Sequence, residues 1–177
     1  MMDIYGVTGM PLAGKTTVAG LLEENGFEVV DMGDVVRKEM EKRDISTEKT
    51  GEFVNDQRKE KGMDAIAQLT VPHIEEASEK VVITGMRGLK EKERFEEELA
   101  EDVEVIAVWA SKSVRKRRRE KRMREEDLKG DGFDERDNRE IGNGVGRLMA
   151  LSDYMIINEG LEMKDLEREV KKVVRGN

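Results

Sequence analysis

The apolar residues of this chain fall into short continuous runs, separated by longer stretches in which they recur every three or four positions. Ile4-Tyr5-Gly6-Val7, Phe27-Glu28-Val29-Val30, Val81-Val82-Ile83-Thr84, Val103 to Trp109 and Tyr154-Met155-Ile156-Ile157 are runs of the first kind. Their length and their Val/Ile content are those of strands buried on both faces. The second kind predicts helices: one from Thr17 to Leu22, stopped by Asn25-Gly26, and one to about Arg43 with Asp34 placed as its cap. Residues 45–51 are polar and read as a connection. A helical stretch follows from Glu52 to Ser78, broken near Gly62 and bent or restarted at Pro72, then helices over Lys90 to Ala100 and Met163 to Val174. Strands that alternate with helices pair in parallel, so the expectation is a three-layer α/β domain with a parallel sheet of about five strands. The segments at about 45–78 and 112–142 are expected to be helical insertions, all within a single domain over 1–177.

Between the first strand and the first helix stands Gly9-Met10-Pro11-Leu12-Ala13-Gly14-Lys15-Thr16. It fits G-x-x-x-x-G-K-[ST] without a mismatch, and its strand-then-helix setting is the one the motif requires. Glycines let the backbone turn and bring N–H groups against phosphate oxygens. Lys15 carries a point charge for the β and γ phosphates, the Thr16 hydroxyl is a Mg²⁺ ligand, and Thr17 extends the contact into a helix N-terminus whose dipole favours anions. The alternative, a chance glycine-rich turn, leaves the register of strand, loop and helix unexplained. The chain therefore reads as a P-loop NTPase fold using ATP and Mg²⁺.

Composition narrows the rest. With 177 residues, 37% hydrophobic and 41% charged, the chain is long enough for one core under a heavily solvated surface. No run approaches the roughly 18 apolar residues of a membrane span, and no basic-then-apolar leader opens the chain; a cytoplasmic protein without a membrane partner is expected. Cysteine is absent and histidine occurs once, which excludes disulfides, thiolate metal sites and multi-histidine zinc sites. The net charge of -8 argues against general nucleic-acid binding.

In a parallel sheet, ligands bind outside the carboxyl ends of the strands. Those ends carry the unusual residues: Asp31 to Arg37, Gly85 to Arg87, Ala110 to Arg122 and Asn158 to Gly160. Here the chain resembles the nucleoside-monophosphate-kinase branch of P-loop proteins. Gly33-Asp34-Val35-Val36-Arg37 resembles the adenylate-kinase segment whose arginine grips the acceptor phosphate, and Gly85-Met86-Arg87 the segment that supplies a second such arginine. Ser152 to Gly160 is similar to the last strand of dephospho-coenzyme A kinases, whose turn, here Asn158 and Gly160, packs on the ATP adenine. The resemblance covers nearly the whole chain and points to an archaeal family described as dephospho-CoA-kinase-like or adenylate-kinase-related.

From Lys112 to Arg124 nine residues are Lys or Arg against the single Glu120. In a helix, Arg115, Arg118, Arg119 and Arg122 share a face. By the resemblance they would form a lid over the triphosphate, Arg118 and Arg122 stabilising the transferring phosphoryl, with Arg136 and Arg139 at the lid's far end. A solvated helix or a patch for RNA is the alternative, the latter without interleaved aromatics for stacking. The position after the third strand, acidic in adenylate kinases, is Thr84. The resemblance to dephospho-CoA kinases makes Asp31 the substitute, as metal partner or base, with Asp34 the other candidate; for each, a plain strand end or helix cap remains open. A base at Asp31 would favour a hydroxyl acceptor, because a phosphate is already ionised. Arg58 is either a further acceptor contact or a surface ion pair. His73 reads as a packing residue, Trp109 as core or cleft wall, the eleven methionines as mostly core filling, and Gly142-Asn143-Gly144-Val145-Gly146 as a lid hinge. Two classes of function stay in view: a small-molecule kinase acting on a nucleotide-like acceptor, and an ATP/ADP-dependent binding switch without an acceptor.

Overall fold

A computed structural model describes residues 2–122 and 132–175. Strand β1 (Asp3–Thr8) lies at the centre of a single sheet. It pairs with β3 (Lys80–Thr84) on one side and β4 (Val103–Trp109) on the other. β2 (Glu28–Asp31) extends the sheet beyond β3, and β5 (Tyr154–Ile157) extends it beyond β4. The order is β2-β3-β1-β4-β5, with every pairing parallel, so all five carboxyl ends open on the same side.

The period of two along the strands assigns side chains to two cores. Ile4, Val81, Ile83, Val103 and Val105 enter one, whereas Tyr5, Val7, Val82, Ile106 and Val108 enter the other. Helices α1 (Lys15–Glu24) and α9 (Met163–Arg175) close the second core with Val18, Leu21, Leu22, Leu166, Val170 and Val173. The first is closed by α2 (Met32–Lys42), α3 (Thr50–Lys61), α4 (Ala65–Glu75), α5 (Leu89–Leu99) and the short α8 (Val145–Ala150). Helix α6 (Lys112–Arg122) instead leans on the loop that follows β1, and α7 (Phe133–Gly142) is tied to α6 through Arg115 and Asp137. The end of the basic run, Met123 and Arg124, and the Arg122 side chain lie outside the described residues. Among the described residues no helix is long and apolar enough to cross a membrane.

Several local expectations need correction. α2 starts at Met32 with no loop after β2, so Asp31, not Asp34, is its cap: Asp31 Oδ1 accepts the Asp34 N–H at 2.8 Å. β2 itself sits one residue later than the apolar run suggests. Pro72 does not restart a helix, because α4 runs through it to Glu75. At three residues from the end, a proline forfeits one backbone bond while the last turn still closes. The break at Gly62 stands, with φ 103 ending α3. Residues 45–78 also divide by role. Ile66, Ala67, Val71 and Ile74 of α4 are core, while the 3₁₀ turn Thr47–Lys49 and α3 supply Glu48, Thr50, Val54 and Asn55 to a cleft.

Phe95, on α5, is fully buried in the first core. Phe95→Ala should lower unfolding free energy by about 3–5 kcal/mol, whereas Met63→Ala, at an exposed position, should stay within about 0.5 kcal/mol. Urea titrations of the two variants check the pair.

Candidate active site

β1 delivers the chain to a loop of unusual backbone. Gly9 has φ 150 and Gly14 φ 107. A Cβ on Gly9 would stand 2.3 Å from the Val108 carbonyl oxygen, and one on Gly14 would stand 2.1 Å from Asn158 Nδ2. A side chain at Gly9 would push away the backbone of β4, and one at Gly14 would displace the Asn158 side chain. Leu12 is also left-handed, with φ 66, at a cost of roughly 1–2 kcal/mol for a residue with a Cβ.

The loop is held by its carbonyls. Lys15 Nζ donates to the Gly9 and Met10 carbonyls at 2.8 and 3.0 Å. Arg115 Nη1 donates to Pro11 O at 3.2 Å, and Arg118 Nη1 to Leu12 O and Ala13 O at 3.0 and 2.9 Å. Asn158 Nδ2 adds a bond to Ala13 O at 2.8 Å. Every carbonyl from Gly9 to Ala13 is thus bound, and the first N–H groups of α1, which no side chain caps, are left for an anion. The Thr16 side chain is exposed at this helix start. Desolvation by the surrounding protein pulls the Lys15 ammonium down to about 8; the Glu140 charge opposes the shift, and Arg136, Arg87 and Arg115 add to it.

Beside Pro11 and Leu12 opens a cleft of about 640 Å³ walled by α3, the turn after β3, α6 and α7. Arg58, Arg87, Arg119, Arg136 and Arg139 line it, against Glu48, Asp137 and Glu140. In a chain of net charge -8, this local excess of cations in a concave wall selects anionic ligands. Arg87 Nε pairs with Glu140 at 3.0 Å. Arg58 is not a surface residue: its guanidinium donates to Asn143 Oδ1 at 3.1 Å and to buried Glu91 at 3.3 Å. Arg115 meets Asp137 through two parallel bonds of 2.7 and 2.6 Å and stacks 5.0 Å from the centre of the Phe133 ring. Of the helical face read as a lid, Arg115 and Arg118 therefore grip the phosphate loop itself and Arg119 reaches the cleft.

At the end of β2, Asp31 accepts the Thr84 hydroxyl at 2.5 Å through Oδ2, in addition to the Asp34 N–H. Thr84 thus stands where an acid is common and orients the acid of the neighbouring strand. Arg37 pairs with Asp34 and lies 3.6 Å from Asp31, exposed and apart from the residues lining the cleft. A smaller cavity of about 180 Å³ lies on the other side of Gly14, formed by Leu12, Thr17, Arg118, Asn158, Leu161, Met163 and Leu166. Its wall is mixed, with Leu12, Leu161, Met163 and Leu166 against Thr17, Arg118, Asn158 and Glu162. Gly160, φ 69, turns the chain between Asn158 and Leu161. A further cavity of about 520 Å³, lined by Met2, Asp3 and Glu101 among others, opens at the amino ends of the strands and is remote from this chemistry.

The AAA-domain family matches residues 8–134. A UPF0200 protein of Methanothermobacter thermautotrophicus is 41% identical over 176 residues, 98% of this chain and 90% of that protein. The chain belongs to the AAA-domain family and, among its curated relatives, to UPF0200. Among solved structures, TT1252 from Thermus thermophilus superposes with a TM-score of 0.68 at 20% identity, covering 99% of this chain and 98% of that one. Shikimate kinase from Acinetobacter baumannii, in complex with shikimate, superposes with a TM-score of 0.64 at 16% identity, covering 100% of this chain and 95% of that one. The fold of this UPF0200 chain is thus that of small P-loop kinases.

Four residues of the UPF0200 site escape a reading of the sequence: Glu91, Asp137, Glu140 and Asn143. One signal was available. Glu91 stands three positions after Gly88 at a helix start, the spacing of a capping box. Asp137 and Glu140 share a face of α7 at a spacing of three, but nothing local says that the face is buried.

Breaking the buried Arg115–Asp137 pair leaves a charge without its partner, so Asp137→Ala should cost about 3–5 kcal/mol of stability. Arg115→Met combined with Asp137→Leu should recover most of that loss. Denaturation midpoints of the single and double variants measure both.

Proposed function

We propose that this chain is an ATP- and Mg²⁺-dependent kinase that transfers the γ-phosphoryl group to a nucleotide or nucleotide-like acceptor. The observation that carries the reading is the adjacency of the two anion sites: the phosphate loop, with Lys15 in it, shares Pro11 and Leu12 with the arginine-lined cleft. One site holds the donor phosphates and the other brings an anionic acceptor alongside.

The residues divide the work. The segment from Gly9 to Thr17 cradles the phosphates, chiefly through the N–H groups of Gly14, Lys15 and Thr16, since Pro11 has none and those of Ala13 and Thr17 donate within the loop. Lys15 leaves its carbonyls for the β and γ oxygens. The cavity at Asn158, with the Gly160 turn beyond it, takes the adenine. Arg58 and Arg87 bind the acceptor in the cleft; Arg37, steadied by Asp34 outside the cleft lining, would reach only an acceptor that extends past it. Arg118 and Arg122 would offset charge on the transferring group only when Arg118 leaves the loop carbonyls that it holds in the free protein. Among the described residues no cluster of three or more His, Asp or Glu side chains is present; Thr16, with Asp31 through water, suits Mg²⁺, which takes few protein ligands beside phosphates and water. When bound, the metal neutralises phosphate charge. Asp31 keeps acceptor capacity beyond its two bonds and would take the proton of a hydroxyl acceptor, with Thr84 fixing its orientation. Both an NMP phosphate and the 3′-hydroxyl of dephospho-CoA suit the cleft. A shikimate kinase of this fold is known in complex with shikimate, which supports adding a hydroxy acid to the same panel.

Thr84 in place of an acid also fits a second reading, an ATP/ADP switch with no acceptor. A coupled assay over NMPs, dephospho-CoA and shikimate separates the two. The kinase reading expects turnover above ATP hydrolysis with one of them, and loss of that turnover at unchanged ATP affinity in Arg58→Ala and Arg87→Ala. Hydrolysis alone, indifferent to both substitutions, would favour the switch.

Lys15 supplies an independent check. Its ammonium is depressed to about 8 in the free protein and is restored by phosphate, so binding should draw in a proton above that pH and none below it. Calorimetry of Mg-ATP binding in two buffers should give an uptake of about one proton near pH 9 and almost none near pH 6.5; equal uptake at both would remove Lys15 from the phosphates.

A further inference from the structure

Glu91 is 2% exposed, a placement that a carboxylate rarely takes without several partners. It opens α5, and its two oxygens serve different elements. Oε2 accepts the Arg87 N–H at 2.6 Å and the Gly88 N–H at 3.3 Å, which fixes the backbone that carries Arg87. Oε1 accepts Arg58 Nη2 from α3 at 3.3 Å. Burial pushes the carboxyl up, and the Arg87 amide and the Arg58 and Arg87 charges pull it back.

A helix cap alone requires neither this burial nor an arginine from another element. Arg58, with its side chain 8% exposed, has its Nη1 on Asn143 Oδ1 at the α7–α8 junction. Among the described residues its Nε has no hydrogen-bond partner, although Arg58 lines the cleft. Glu91 and Asn143 thus fix the Arg58 guanidinium where the residue lines the cleft, and its buried Nε leaves the bonding of this charge incomplete among the described residues.

We infer that Glu91 is the positioning residue of the acceptor cleft, one carboxylate that holds Arg58 and Arg87 together in the geometry that grips an acceptor anion. The inference rests on the kinase reading of that cleft. It assigns Glu91 no contact with substrate; its effect passes through the two arginines.

The test uses inorganic phosphate as the acceptor probe, titrated by calorimetry into the full chain with its phosphate loop saturated by Mg²⁺ and a non-hydrolysable ATP analogue. Glu91→Gln keeps an oxygen for the α5 amides but withdraws the charge from Arg58. Phosphate affinity should fall about tenfold, as expected for a lost charge-assisted bond, while analogue affinity stays within about twofold. Arg58→Ala should lose as much, and the double variant no more than Arg58→Ala alone, because the pair acts as a unit. A purely structural cap predicts the reverse: unchanged phosphate affinity in Glu91→Gln, or losses that add in the double variant, and either result overturns the inference. Should Glu91→Gln fail to fold, Glu91→Asp keeps the charge and shortens the reach; phosphate affinity equal to the parent's in that variant overturns the inference as well. If the parent protein takes up no phosphate beside the analogue, the cleft is not an acceptor site and the kinase reading falls with the inference. Parent binding with an unaffected Glu91→Gln removes the role of Glu91 alone.

Discussion

The carbonyls of Gly9 to Ala13 all face donors of the same chain, and the rest of the site follows from that. A backbone turned this way presents its amides to one side, but it is strained at Leu12 and crowded at both glycines. The donors that hold it come from α1, α6 and the turn after β5. Gly14 can be approached by Asn158 only because it lacks a side chain. The same absence lets Asn158 reach Ala13 and anchor the turn that bounds the smaller cavity. Loop shape, helix placement and cavity are one packing problem with one solution.

The cleft obeys a different rule. Its arginines are numerous, yet carboxylates hold several in and beside it: buried Arg58 by Glu91, half-exposed Arg87 by Glu140 and, next to the cleft, buried Arg115 by Asp137. Such pairs add little net stability once desolvation is counted, but they restrict where a guanidinium can point. A cleft filled with uncommitted cations would repel itself open and bind anions indiscriminately. Interleaved carboxylates keep the wall compact and leave a modest surplus of positive charge, so a ligand must match positions as well as sign.

Much of this was legible before any coordinates. The apolar runs from Ile4 to Ile157 became the strands of the sheet, and the phosphate loop stood where its motif implied. That success has a physical basis, since strands buried on both faces and a glycine-bearing loop leave local marks. The failures also share a cause. Asp34 looked like a cap because Gly33 suggests a loop, but β2 passes directly into α2, whose first residue, Met32, is buried in the same core as Ile83 and Met86. Arg115 looked like a lid cation, whereas its partner lies 22 residues on, across a helix pair. Arg58 was ambiguous between surface and site because burial of a charged helix face depends on Glu91 and Asn143, which no local pattern joins to it. Long-range pairing of buried charges is invisible to periodicity.

The central position of β1 has a bearing on how the chain matures. Its partners β3 and β4 begin at Lys80 and Val103, so β1 has neither neighbour until synthesis passes Thr84 and lacks the second until it passes Trp109. The phosphate loop waits longer still, because Arg115, Arg118 and Asn158 hold its carbonyls. Closure of such distant contacts is slow, and no N-terminal fragment short of β5 contains the complete loop support. The shape of the phosphate loop in this architecture is consequently acquired late in assembly, once α6 and the turn after β5 are in place to hold its carbonyls.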